Sequence, residues 1–160
     1  METILQALLL RQGHYRGRGV NHQAEPFIGE MHLEEVLGGR GLIVRYRALS
    51  ESRERVFYQE YSVLAPSTEG LLVLSSLSDQ SPGLIPLALR REEQGPDLRR
   101  AVFGYGRPTD EEKLRLELTL ELKPERALGY RFAWGMPGEP LELRSSVTLE
   151  PQPAPPAKAW

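Results

Sequence analysis

The residues best suited to chemistry lie on the segment 55–65, which reads VFYQEYSVL over positions 56–64. Alternation along a strand puts Tyr58, Glu60 and Ser62 on one face. If that face is buried, Glu60 is a carboxyl group among hydroxyls. It would then need hydrogen bonds or a raised pKa, which suits contact with a polar ligand group or acid–base work. In the alternative, Glu60 faces solvent beside Arg47, where such an ion pair is worth about 0–1 kcal/mol.

A second set of candidates is aromatic. On the segment 126–135, Tyr130, Phe132 and Trp134 share a face with Leu128, and we expect this face to point inward. Large rings can hold an apolar ligand through area of contact, or they can simply complete a packed core; the pattern leaves both open. The candidate ligand-binding residues are therefore Tyr46, Tyr58, Glu60, Phe103, Tyr130, Phe132 and Trp134.

The sequence lacks the residue patterns that a metal site, a serine nucleophile or a phosphate-binding loop would require. The three histidines, His14, His22 and His32, do not have the spacing of a metal site. No Gly-x-Ser-x-Gly occurs, and the stretch GGRG at 38–41 lacks the Lys-Ser/Thr of a phosphate-binding loop. We therefore assign no catalytic residue, no metal and no cofactor from the sequence.

Composition narrows the function further. The 160 residues include no cysteine, which excludes disulfides, thiolate metal sites and a cysteine nucleophile. A formal net charge of −2 is not the basic surplus of a nucleic-acid-binding protein. The first twelve residues resemble neither a signal peptide nor a membrane span, since Glu2 and Gln6 interrupt a short apolar run. The sequence predicts a cytoplasmic protein with no membrane or nucleic-acid partner.

Most of the chain predicts strands. From 113 to 123 every second residue is leucine between charged or polar residues, the period of a strand with one buried face. Ten such segments are separated by turn sequences rich in the 15 glycines and 13 prolines. They are 13–22, 26–37, 41–50, 55–65, 70–78, 83–92, 98–106, 113–123, 126–135 and 140–150. A short helix is predicted within 1–12, and a proline-rich extended tail over 151–160 that ends in Trp160.

Short turns and the lack of a second helix favour sequential antiparallel neighbours. The prediction is one all-β domain over 1–150, an up-and-down barrel whose closure removes exposed strand edges. With its short helix followed by GHYRGRG at 13–19, the chain resembles the calycin superfamily of lipocalins, fatty-acid-binding proteins and nitrobindin-like barrels. Tyr15 stands where those families have the tryptophan that packs at the closed end. The sequences PFIGE at 26–30 and YQEYS at 58–62 are most similar to the nitrobindin-like members.

The resemblance implies an internal ligand site, but not a haem. Haem-binding members of that group use a histidine on a late strand as axial ligand, and here the segment 140–150 offers Ser145 and Ser146 instead. We expect the barrel to bind a small apolar or amphipathic molecule. Two alternatives stay open: an enzyme using Glu60 and a tyrosine as an acid–base pair, and a filled barrel whose outer surface forms a homodimer or other oligomer.

Overall fold

Ten antiparallel strands close into a barrel in this computed structural model, which describes residues 1–153. Each strand pairs with its neighbours in sequence, and β1 pairs with β10 to complete the ring. The predicted fold class is confirmed. The elements are α1 Ile4–Leu9, β1 Gly13–Asn21, β2 Pro26–Val36, β3 Gly41–Leu49, β4 Val56–Pro66, β5 Leu72–Ser78, β6 Ile85–Gln94, β7 Arg99–Tyr105, β8 Arg115–Leu122, a single 3-10 turn at Pro124–Arg126, β9 Leu128–Gly135 and β10 Glu142–Gln152.

Leucine favours helices, but leucine alternates with polar residues along β8, and this period of two is that of a strand. Leu118, Leu120 and Leu122 are buried in the barrel core. The opposite face carries Glu121, which Arg100 and two other basic side chains surround on the outer wall. One face of the strand therefore fills the interior while the other forms ion pairs outside.

Helix α1 closes one end of the barrel. Thr3 and Gln6 form a reciprocal capping box, in which each side chain pairs with the backbone N–H of the other residue. The apolar face of the helix is buried against the core through residues that include Ile4 and Leu8. After the helix, the Arg11 guanidinium donates to the carbonyls of Lys123 and Ala127 at 2.9 and 2.8 Å.

Tyr15 lies beside that closure. Its hydroxyl donates to the carbonyl of Arg11 at 2.6 Å, and its ring is buried at the helix end of the barrel. The residue predicted to replace a closing tryptophan is therefore placed at the closed end.

Strand β1 approaches β10 unusually closely. A Cβ built on Gly17 would lie 1.8 Å from the carbonyl oxygen of Thr148, and one on Gly19 would lie 2.7 Å from that of Ser146. Only glycine fits at these positions, because any side chain would displace the backbone of the neighbouring strand. The seam that completes the ring depends on both glycines.

The last strand is longer than the predicted segment 140–150. Strand β10 continues through Pro151 and Gln152, which are opposite Tyr15 and His14 of β1. Proline is tolerated here because β9 begins at Leu128, opposite Leu149, so Pro151 has a strand neighbour on one side only. Trp160 and the rest of the predicted tail after residue 153 lie outside the described residues. Over residues 1–153, no helix has the length and apolar character needed to cross a membrane.

Candidate ligand-binding cavity

A cavity of about 660 Å³ occupies the half of the barrel away from α1. It opens between the loops that join β1 to β2, β5 to β6 and β9 to β10. Its size is in the range of small-molecule sites, about 300–1,000 Å³. Its lining combines aromatic and aliphatic side chains with a few hydroxyls inside, and polar groups at the mouth. Among the lining residues are Asn21, His22, Phe27, Tyr46, Ala48, Phe57, Tyr58, Ser76, Ser78, Asp79, Leu87, Leu116, Tyr130, Phe132, Trp134, Arg144 and Ser145.

Aromatic rings form a continuous wall on one side of the cavity. The Tyr46 and Tyr130 rings are stacked with centroids 4.1 Å apart. The centroid of the Phe132 ring lies 6.1 Å from that of Tyr58 and 5.4 Å from that of Trp134. These distances are typical of favourable aromatic pairs. The wall is a preformed apolar surface that follows the alternation of β9.

A buried carboxyl group stands behind the inner end of the cavity. Glu60 Oε2 accepts hydrogen bonds from the hydroxyls of Tyr58 at 2.7 Å and Tyr130 at 2.8 Å. Glu60 Oε1 accepts from Ser62 at 3.0 Å, and the Ser76 hydroxyl is a further partner of the carboxyl group. We call Glu60 and these four partners the Glu60 cluster.

Register explains how the Glu60 cluster assembles. Glu60 is opposite Tyr46 on β3 and Ser78 on β5, so all three side chains point into the barrel. Tyr130 reaches the same carboxyl from β9, 70 residues away in sequence. A side chain 6% exposed and held by hydroxyls from three strands has a fixed orientation.

Burial dominates the electrostatics of the cluster. Loss of solvation raises the pKa of Glu60, although the hydroxyl donors oppose that rise. The pKa values of Tyr58 and Tyr130 are raised by burial and by the neighbouring carboxylate. Both phenols therefore keep their protons and act as hydrogen-bond donors to Glu60.

Tyr46 differs from the other two tyrosines. Its hydroxyl is fully buried, yet no hydrogen-bond partner is found among the described residues. The oxygen has room because Gly29 on β2 has no side chain: a Cβ there would lie 3.3 Å from it. An unpaired buried hydroxyl costs free energy, so Tyr46 contributes its ring to the wall but no polar contact.

The mouth of the cavity is built around Trp134. The Arg144 guanidinium lies 5.5 Å from the indole centroid, and His22 approaches the indole edge-on at 5.9 Å. Arg144 also pairs with Glu139 at 3.6 Å and Glu142 at 3.5 Å. This arginine therefore holds the tryptophan in place while its charge is balanced by two carboxylates.

Four predicted ligand-binding residues, Tyr58, Tyr130, Phe132 and Trp134, lie together on the cavity wall, and Tyr46 joins them. Two do not line the cavity. Phe103 is fully buried in the core between Leu89 and Leu118 and is not among the residues that line the cavity, so its position favours core packing over ligand contact. Glu60 is inward, but it lies behind the tyrosines and acts on the cavity through them. Arg47, the solvent-side partner considered for Glu60, pairs instead with Glu30 on the outer wall.

The sequence analysis did not name several polar groups of the lining, among them Ser76, Ser78 and Arg144. Ser76 and Ser78 alternate on β5 and could have been found by extending the inward face of β4 across the sheet. Arg144 could not, since its position depends on a bulge between Leu143 and Ser145 of β10.

The three histidines lie on the outer face or at the mouth of the barrel. His14 and His32 stack on each other at 4.0 Å on the outer face, and His22 lies against Trp134 at the mouth. The absence of a haem stays a prediction.

Comparison with known proteins supports the fold. The chain is similar to the crystal structure of Rv2717c from M. tuberculosis, with a TM-score of 0.71 and 19% sequence identity. The match covers 93% of this chain and 97% of that one. No protein-family model matches the sequence, and no curated protein matches it. The likeness establishes a shared barrel architecture.

Proposed function

We propose that this protein binds a small apolar or amphipathic molecule inside the barrel. The observation that carries the proposal is the 660 Å³ cavity with its aromatic wall and a single polar inner end. A barrel whose interior served only stability would be filled by side chains, as it is around Leu64, Leu74 and Leu120 in the helix-side half. The cavity begins further along β4 and β5, where the inward residues are Tyr58, Ser76 and Ser78 instead of leucine.

The acid–base alternative has less support. Glu60 and Tyr58 are hydrogen-bonded as such a pair requires, but the carboxyl group is not part of the cavity surface. A substrate atom would meet the tyrosine and not the carboxyl group, whereas a general base must reach the proton it removes directly or through one water.

The cytoplasmic location and the homodimer stay predictions.

Native mass spectrometry of the protein purified from its own host tests the proposal directly. We expect a retained small molecule, released on unfolding. The chain has two tryptophans, so a Trp160→Phe variant leaves Trp134 as the sole indole. Its fluorescence should then change on titration with an apolar aromatic compound.

A matched pair of variants separates the cavity from the outer wall. Leu116→Trp places a large aromatic ring in the cavity lining, whereas Leu77→Trp places the same ring on the exposed outer face of β5. We expect the Leu116 variant to lose binding of the apolar aromatic compound and the Leu77 variant to keep it. Equal binding by both, or no binding by the unmodified protein, would contradict the proposal.

A further inference from the structure

The hydroxyl groups of Tyr58, Ser76 and Ser78 at the inner end of the cavity form hydrogen bonds that lead to Glu60, and Ser78 Oγ also accepts from the backbone N–H of Gln80 at 3.3 Å. Tyr58 donates to Glu60 Oε2 at 2.7 Å, Ser76 also hydrogen-bonds the carboxyl group, and Ser78 hydrogen-bonds the Tyr58 hydroxyl. A hydroxyl has one hydrogen and two lone pairs. With the hydrogens committed in this direction, the oxygens that face the cavity have only lone pairs to offer.

The charges in the cavity have the same consequence. Every hydrogen-bond partner of Glu60 is a neutral hydroxyl, and none of the ion pairs in the described residues includes it. The charged side chains on the lining are Asp79 and Arg144, both at the mouth, and Arg144 already has two carboxylate partners. An anionic group at the inner end would face the carboxyl group of Glu60 without a basic side chain to compensate it.

The aromatic wall adds a third contribution. The rings of Tyr58, Phe132 and Trp134 line the cavity, and the face of an aromatic ring attracts cations and N–H or O–H groups and disfavours anions. All three features of the cavity therefore favour the same ligand group. They favour a neutral or positively charged hydrogen-bond donor over an anion.

We propose that the cavity selects molecules whose polar end donates hydrogen bonds and has no negative charge, namely an amine or hydroxyl group on an apolar body. This inference rests on the proposed function and specifies its ligand class. It excludes the carboxylate-bearing lipids that an arginine inside the barrel would select. The polar end lies against Tyr58, Ser76 and Ser78, and the apolar body lies along Phe132 toward the mouth.

The test is calorimetric titration at neutral pH with four compounds that share one aromatic body: 2-methylnaphthalene, 2-naphthol, 2-naphthylmethylamine and 2-naphthoate. We expect the naphthol and the amine to bind at least about tenfold more tightly than the naphthoate, because each gains a hydrogen bond that the acid cannot make. The methyl compound should lie between them and the acid. The ratio of amine to naphthol affinity measures how much of the selection comes from charge.

Two variants locate the selection. Ser78→Ala removes a lone-pair acceptor and should weaken the naphthol and the amine but not 2-methylnaphthalene. Ser75→Ala, on the outer face of the same strand, is its control. Glu60→Gln should reduce the preference of the amine over the acid.

The outcomes are distinct. Naphthoate binding as tightly as the naphthol, or four equal affinities, would overturn the inference and leave the proposed function standing. If none of the four binds and no ligand is retained from the host, both fail.

Discussion

Tyr46 and Tyr130 stack their rings 4.1 Å apart, but only the Tyr130 hydroxyl has a hydrogen-bond partner. The two residues thus share one packing environment and differ in a single polar interaction. Tyr130 donates to a buried carboxyl group, whereas the Tyr46 hydroxyl is desolvated without compensation.

Removing each hydroxyl should therefore have opposite consequences. Tyr130→Phe loses a hydrogen bond to Glu60 and should lower the free energy of unfolding by about 1.5–3 kcal/mol. Tyr46→Phe removes an unpaired buried hydroxyl and should leave stability unchanged or raise it by about 1 kcal/mol. Urea unfolding of both variants measures the difference. Equal losses would mean that Tyr46 has a polar partner in solution.

The raised pKa of Glu60 predicts a specific dependence of stability on pH. A carboxyl group with a folded pKa above its ordinary value of 4.5 stabilises the protein fully at pH below that value. The stabilisation is lost as the pH rises through the raised folded pKa, because ionisation is easier in the unfolded chain. Glu60→Gln cannot ionise and should lack this loss.

The measurement is the free energy of unfolding of both proteins in urea from pH 4 to pH 9. The difference between the unmodified protein and Glu60→Gln should move in favour of the variant as pH rises from about 4.5, and then level off. A difference that moves the other way would show that the hydroxyl donors outweigh burial and lower the pKa.

The seam between β1 and β10 predicts a sharp difference between two glycines. Gly17→Ala brings a methyl group against the carbonyl of Thr148 and should cost at least about 1–3 kcal/mol. Gly83→Ala places the methyl group in open space and should change stability by no more than about 0.5 kcal/mol. Thermal and urea unfolding compare the two. A tolerated Gly17→Ala would mean that the seam is looser than the structure indicates.

Arg11 predicts how the closed end is held. Arg11→Ala loses two hydrogen bonds to carbonyls of the β8–β9 turn and should cost about 1–2 kcal/mol. Arg16→Ala, at an exposed position on β1, is the control. Hydrogen exchange should show faster exchange of the α1 amides only in the Arg11 variant. If the helix is protected equally in both, its buried apolar face alone holds it.

The fold could be predicted because its signals are local. Leucine alternation on β8 and turn residues between segments do not depend on which strands are neighbours. The inward face of β4 could not be predicted, since both faces of 56–64 mix aromatic and polar residues. The answer depends on the register that sets Glu60 between Tyr46 and Ser78, a property of three strands together.

Two other features were beyond the sequence for the same reason. Arg115 is 1% exposed and donates to the carbonyls of Lys113 and Met136 at 2.9 and 3.1 Å. An arginine at a strand start suggests a solvated side chain, and the acceptor at Met136 depends on the course of the β9–β10 loop. The position of Phe103 in the core, away from the cavity, likewise depends on how far the packed half extends from α1.

Closure by α1 at one end makes the cavity a blind pocket. A molecule that enters must leave by the same route, past Trp134 and the mouth loops, and it cannot pass through the barrel. The lifetime of the complex therefore depends on the side chains at the mouth as well as on the contacts at the inner end. Substitutions at His22 or Arg144 should alter the association and dissociation rates together, whereas those at Ser78 should act on the dissociation rate alone.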